Sequence, residues 1–317
     1  MRSRALAVDL GGTNLRTAVV HADGRVEHRR SAATLAREGP SIVVDQIAGE
    51  IFAVAEVAGL DETCPVGIAL PGPVDPTAGV VAFMPNLSGW ERFPIGEALH
   101  ASLGRRFVLG NDGNCGAVGE ARFGAVGARR DLVYLALGTG VGGGIVSDGR
   151  LLVGARGLGG EVGHVVVALD GPRCTCGGVG CLEAFVGGWA LMRDAALVAG
   201  TADGDRLRFL AEGAAITPTI LARAAAEGDP AANAILERAG RALGAAIGAF
   251  VNVFNPDVVV IGGGVGLLDD PLLSPAKRAI ASHSFALARD GLRIELTSLG
   301  ADTALLGAGA LALGQAG

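Results

Sequence analysis

One pattern constrains this chain more than any other, and it occurs twice: an apolar strand, a glycine-rich turn, and a second strand. Ala5–Leu10 passes through Gly11-Gly12-Thr13-Asn14 into Leu15–Val20, and Leu132–Leu137 passes through Gly138–Gly143 into Gly144–Ser147. Glycine lets a backbone bend sharply and bring its N–H groups against an anion. A third such turn, Gly262-Gly263-Gly264, follows the apolar run Val258–Ile261. The repeat predicts two related halves that present phosphate-facing turns at strand ends; tight hairpins without a ligand are the alternative. The common nucleotide motifs do not fit. A Walker A loop needs a lysine and the only lysine is Lys277, while the Gly138 turn leads into a strand instead of opening a helix.

Between these turns the chain alternates short apolar strands with helical spacings. Val26–Ser31 and Val66–Leu70 read as strands, as does Phe107–Leu109, which leads into Gly110-Asn111-Asp112. Ser41–Gly59, Asn114–Arg122, much of 183–250 and Ala301–Leu313 read as helices. That alternation defines an α/β fold. A domain boundary is expected just after Asp112, giving a small domain 1–112 completed by the C-terminal helix 301–317 and a large domain 113–300. Twenty-six basic against 32 acidic residues advertise no surface for nucleic acid or anionic lipid. The first apolar run is broken by Asp9, too early for a signal peptide, and no apolar stretch reaches the roughly 18 residues of a membrane span. A cytoplasmic protein with no membrane partner is expected. The 52 glycines exceed what the turns use; Gly228, Gly240 and Gly248 point to compositional bias or close helix packing.

His164, Cys174, Cys176 and Cys181 form the second informative cluster. Four such ligands with Gly177–Gly180 folded between them match a closed tetrahedral zinc site, structural because no position is left for water. A redox pair is the weaker alternative, since its motif places two residues between the sulfurs and Cys174 and Cys176 have one. Zinc would pin 164–181 and so steady the flanking carboxylates Glu161 and Glu183. Cys64 and Cys115 read as small buried hydrophobes. Asp9, a carboxylate in a buried strand, needs a cation or hydrogen bonds: Mg²⁺ held through water, or a cap on the following turn.

Taken together, these residues resemble the ROK family of bacterial sugar kinases, and within it most closely the ATP-dependent glucokinases. The resemblance is carried by Asp9-Leu10-Gly11-Gly12-Thr13-Asn14, Pro71-Gly72-Pro73, Asn86-Leu87-Ser88-Gly89-Trp90, Asn111-Asp112, Gly138–Gly144 and Glu161-Val162-Gly163-His164. It continues through the run from Cys174 to Glu183 and through Asn255-Pro256-Asp257 with Gly262-Gly263-Gly264. It implies a two-domain actin-like ATPase (ribonuclease H-like) fold with a cleft between the domains, and phosphorylation of glucose at its 6-hydroxyl by Mg-ATP. Asp112 would be the general base. Gly72, Asn86, Asn111, Glu161, His164 and Glu183 would hold the sugar, with His164 also on zinc. Asp9, Gly11, Gly12, Thr13, Asn14, Gly138, Thr139 and Gly140 would face the phosphates and Mg²⁺, and Gly262, Gly263 and Gly264 the adenosine.

The resemblance also implies a homodimer or tetramer, for which the Ala-rich helices of 214–250 offer flat faces that could equally be core. Other sugars stay open: N-acetylglucosamine, N-acetylmannosamine, mannose, fructose or allose. A sugar-responsive repressor is disfavoured because the first glycine turn begins at Gly11 and Asp112 is intact. Polyphosphate as donor is disfavoured because no basic track accompanies it.

Overall fold

The computed structural model describes residues 3–84, 87–127, 131–268 and 270–314. In chain order its strands are β1 (Arg4–Leu10), β2 (Asn14–His21), β3 (Val26–Ala33), β4 (Val66–Leu70), β5 (Val74–Asp75), β6 (Val80–Val81), β7 (Phe107–Asn111), β8 (Leu132–Leu137), β9 (Val141–Ser147), β10 (Arg150–Leu151), β11 (Val258–Gly262) and β12 (Arg293–Leu296). Its helices are α1 (Pro40–Val57), α2 (Ile95–Leu103), α3 (Asp112–Phe123), α4 (Glu183–Val186), α5 (Gly188–Ala199), α6 (Asp205–Ala211), α7 (Pro218–Ala226), α8 (Pro230–Phe254), α9 (Asp270–His283) and α10 (Thr303–Ala312).

The twofold pattern in the sequence becomes a twofold topology. One five-stranded sheet has the order β3-β2-β1-β4-β7 and the other β10-β9-β8-β11-β12, the same third-second-first-fourth-fifth arrangement. In the first sheet β1, β2 and β3 are antiparallel neighbours, while β1, β4 and β7 run parallel. Strand β9 begins at Val141 instead of the expected Gly144, so the second turn is short and its later glycines belong to the sheet. Gly144 serves packing: a Cβ there would lie 2.8 Å from the Ala117 Cβ on α3.

The chain divides into two units, one of residues 1–134, 143–160 and 297–317, the other of 135–142 and 161–296. In the first, alternate residues of β1 feed two cores. Leu6, Val8 and Leu10 join Ile47 and Ile51 of α1, whereas Ala7 joins Cys115 of α3 with Leu305, Leu306 and Ala308 of α10. The expected boundary after Asp112 therefore falls inside this unit. Helix α3 stays with it because α10 packs on it backbone to backbone: a Cβ at Gly307 would lie 1.6 Å from the Cys115 carbonyl oxygen. Cys64 and Cys115 are both buried free thiols.

In the second unit, Gly240, Gly244 and Gly248 form one stripe along α8. Added Cβ atoms would meet the Leu272 carbonyl at 2.5 Å, the Ala276 carbonyl at 2.3 Å and His283 at 2.8 Å, all on α9. Close packing, not composition, accounts for Gly240 and Gly248; Gly228 is in the left-handed region at φ +88° in the turn before α8. No helix among the described residues is long and apolar enough to cross a membrane.

Candidate active site

In the first unit the parallel register of β1, β4 and β7 brings three loops to one sheet edge. They are the Gly11 turn, Pro71-Gly72-Pro73 and Asn111-Asp112, all at the carboxyl ends where open α/β sheets bind ligands. The Gly11 N–H donates to the Asn14 carbonyl at 2.8 Å, and Thr34 of the segment after β3 braces the turn by donating its hydroxyl to the Gly11 carbonyl at 2.7 Å. Thr13 and Asn14 at its tip are exposed.

Asp9 faces a cation already supplied by the chain. Its cross-strand partner in the hairpin is Arg16, whose Nη2 lies 3.2 Å from Oδ2. Burial pushes the Asp9 carboxyl above its ordinary value of 3.8, with Arg16 pulling it down and Asp302 adding to the rise. A buried carboxylate that one arginine does not fully offset has room for further positive charge, which fits a divalent cation nearby.

Asn111 does the capping that Asp112 could have done. Its Oδ1 accepts from the Asn114 N–H at 3.1 Å, making it the N-cap of α3, and its Nδ2 donates to the Gly72 carbonyl at 3.0 Å and to Asp112 Oδ1 at 3.1 Å. Asp112 Oδ1 also accepts from the Gly113 N–H at 2.8 Å. The carboxylate thus sits at the first position of a helix, where the dipole favours negative charge, with one oxygen fixed by two donors.

The second unit carries the other turn. The Val265 N–H donates to the Leu137 carbonyl at 2.8 Å, and a Cβ at Gly263 would meet that oxygen at 2.3 Å, so the Gly262–Gly264 turn packs beside the one that starts at Gly138. Thr139 is exposed. At Gly138, Gly142 and Gly264 a Cβ would point into open space and φ is ordinary, so nothing in the protein itself demands glycine there. Backbone left open in this way gives an anionic ligand room for close approach to the N–H groups.

Glu161 precedes a short 3₁₀ turn, Val162–His164, that ends on His164. His164 turns Nδ1 toward Cys174 Sγ at 3.8 Å and leaves Nε2 4.0 Å from Glu161 Oε2. Glu183, the first residue of α4, is buried; its Oε2 accepts from the Val141 N–H at 2.9 Å and its Oε1 from the Thr175 hydroxyl at 3.0 Å.

The donor set fits zinc. The ligand atoms of His164, Cys174, Cys176 and Cys181 all lie within 4.8 Å of one another, and the Cys176 and Cys181 sulfurs are 3.8 Å apart. A tetrahedron built on metal–sulfur bonds near 2.3 Å has edges of about 3.8 Å. Burial pushes the Cys174 thiol up and the Cys181 thiol up to about 12, while the Gly178 N–H holds Cys176 down. Clustered thiols that resist ionising alone are what a bound cation stabilises as thiolates.

The first unit therefore gathers Asp9, Gly11–Asn14, Gly72, Asn111 and Asp112, and the second gathers Gly138–Gly140, Glu161, His164, the cysteines, Glu183 and Gly262–Gly264. Asn86 lies outside the described residues. Sequence reasoning missed Arg16, Thr34 and Thr175. Arg16 was within reach of it, because a four-residue turn after Leu10 places Arg16 opposite Asp9 in a regular hairpin.

Comparison with known proteins bears on the family and the fold. The profile of the ROK family matches residues 5–315. The glucokinase of Thermotoga maritima is 33% identical over 97% of this chain and 96% of its own length. Among solved structures, a ROK hexokinase from Thermus thermophilus superposes with a TM-score of 0.83 at 34% identity, covering 98% of each chain. A ROK glucokinase from Streptomyces griseus, in complex with glucose and AMPPNP, superposes with a TM-score of 0.81 at 32% identity, covering 98% of this chain and 99% of that one.

Proposed function

Because the chain belongs to the ROK family, we propose that it transfers the γ-phosphoryl group of ATP to the 6-hydroxyl of D-glucose, giving glucose 6-phosphate and ADP. The observation that carries this reading is Asp112, a carboxylate at a strand end with one oxygen fixed by Asn111 and Gly113. The Streptomyces griseus glucokinase, solved with glucose and AMPPNP, supports a sugar and an ATP-like nucleotide as the substrate pair.

Phosphoryl transfer asks mainly for positioning and for a field that offsets spreading negative charge. Asp112 accepts the proton of the 6-hydroxyl as its oxygen bonds to the γ-phosphorus and the bond to the bridging oxygen of ADP breaks. Proton transfer occurs late in a loose transition state, so an ordinary carboxylate suffices. Glu161, His164 and Glu183 present the acceptors, and His164 a donor, that match paired sugar hydroxyls. Backbone N–H groups of the Gly11 and Gly138 turns, with the Thr13 and Thr139 hydroxyls, bind the phosphates without a lysine. Mg²⁺, when bound near Asp9, neutralises phosphate charge. Zinc, when bound by His164, Cys174, Cys176 and Cys181, stiffens the loop that carries Glu161 and Glu183.

The test is a coupled assay of ADP release with Mg-ATP against glucose, N-acetylglucosamine, N-acetylmannosamine, mannose, fructose and allose. Turnover highest on glucose is expected. Turnover confined to another hexose corrects the substrate, and no turnover on any of them overturns the kinase reading.

A further inference from the structure

We propose that Thr175 is a positioning residue for the nucleotide turn and acts through Glu183, an inference that rests on the kinase reading above. Thr175 lies between the cysteines 174 and 176, where it has no part in holding a metal, yet its hydroxyl donates to Glu183 Oε1 at 3.0 Å. The other oxygen of that carboxylate, Oε2, accepts the Val141 N–H at 2.9 Å, at the point where the Gly138 turn enters β9. The contact is close, since a Cβ at Gly140 would lie 2.4 Å from Oε2. The same turn hangs from the segment after Glu183 by its backbone: the Gly188 N–H donates to the Gly138 carbonyl at 2.9 Å and the Trp189 N–H to the Thr139 carbonyl at 3.1 Å.

The terminal torsion of a glutamate is broad, so an unpinned carboxylate rotates and trades its acceptors. The Cys174 thiol also lies 3.6 Å from Oε1, but as a thiolate on a metal it has no proton to donate, so the Thr175 hydroxyl is the donor that holds Oε1. Oε2 then stays aimed at Val141, and a charge-assisted hydrogen bond fixes the turn's backbone. Order in the cysteine loop is thereby passed to the residues that grip phosphate, through one hydroxyl and one carboxylate.

The experiment uses the full-length, zinc-loaded protein with Thr175→Val, which keeps the side-chain shape and removes the donor, and Thr175→Ser, which keeps the donor. Hydrogen exchange of the peptide spanning 138–144, titration calorimetry with Mg-ADP and zinc content are measured on each. The expected result is about tenfold faster exchange at Val141 and roughly fivefold weaker ADP binding in Thr175→Val, with zinc retained, and recovery of both in Thr175→Ser. Wild-type exchange in Thr175→Val overturns the proposal. Loss of zinc from Thr175→Val overturns it as well, because the hydroxyl would then serve the metal loop. If wild-type protein binds no ADP the kinase reading fails, and the exchange comparison still decides whether the strut exists.

Discussion

Asn111→Ala should damage stability and chemistry together, by amounts that the structure lets one work out. The side chain accepts from Asn114, donates to the Gly72 carbonyl, and donates to Asp112. Losing the N-cap costs about 1 kcal/mol. Losing a bond to a neutral carbonyl costs roughly 1 kcal/mol, and losing one to a carboxylate about 1.5 kcal/mol at the low end for charged partners. The sum, about 3.5 kcal/mol, corresponds to a fall of roughly 7–14 °C in the melting of a unit of this size. Asn111→Ser separates the two roles: serine still caps, recovering about 1 kcal/mol, but offers no donor pair to Gly72 and Asp112. Both variants should lose about 10- to 100-fold in kcat, since small misplacements of a reacting group are that costly. The chain has two tryptophans, Trp90 in the first unit and Trp189 in the second. A Trp189→Phe background leaves Trp90, buried against Phe93 at 5.0 Å, to report unfolding of the unit that contains Asn111. Unfolding of Asn111→Ala within about 1 kcal/mol of wild type, or recovery of kcat along with stability in Asn111→Ser, would refute the reasoning.

Further perturbations test other parts of the structure. Asp112→Asn should abolish transfer while sugar binding, followed by calorimetry, largely persists; substantial residual kcat would remove Asp112 from its role. Cys176→Ser should release zinc in elemental analysis and lower the melting temperature, because metal binding energy in such sites is folding energy. Gly307→Ala should prevent soluble folding or cost about 4 kcal/mol or more, since its Cβ would fall 1.6 Å from the Cys115 carbonyl oxygen; a wild-type urea midpoint would mean that α10 does not approach α3 so closely. Glu120 is buried on α3, and its carboxyl is pushed above the ordinary 4.5 by burial, with the Thr297 hydroxyl pulling it back. The folded state therefore binds this proton more tightly than the unfolded chain does, so the stability it contributes is complete below pH 4.5 and lost as pH rises through the raised value. Glu120→Gln should be more stable than wild type at pH 8, with the difference shrinking toward pH 4; a pH-independent difference would contradict the assignment.

What could be read from the sequence follows a physical divide. The strands and turns around Gly11 and Gly138 are local: apolar runs and glycines state their own conformation, and the two sheets share one strand order, although β9 starts at Val141 and takes up glycines expected in the turn. The cluster of His164, Cys174, Cys176 and Cys181, whose ligand atoms the structure gathers within 4.8 Å, was legible because metal-ligand chemistry restricts residue type so severely. Helix α9 was hidden by Pro275 in its interior, which is accommodated where α9 meets the glycine stripe of α8, 2.8 Å from where a Gly240 Cβ would lie. Strand β12 is a short edge strand, with residues of mixed exposure and no alternation to detect. The unit boundary was misplaced because α3 is tied to a helix far along the chain, by glycines whose partner no local pattern reveals. The Glu183 contacts are of the same kind, since which backbone N–H a carboxylate oxygen finds depends on tertiary geometry.

The lone lysine has a practical consequence. Lys277 is exposed on α9, in the second unit, and no glycine turn contains an amine. Amine-directed reagents therefore have a single side-chain address on this chain, remote in sequence from every residue assigned to phosphate or sugar. Reagents that inactivate many nucleotide enzymes by capturing a phosphate-site lysine have no target in these turns. On the proposed reading, acylating or tethering the protein through Lys277 should leave turnover intact, giving a defined point of attachment for a dye or a surface.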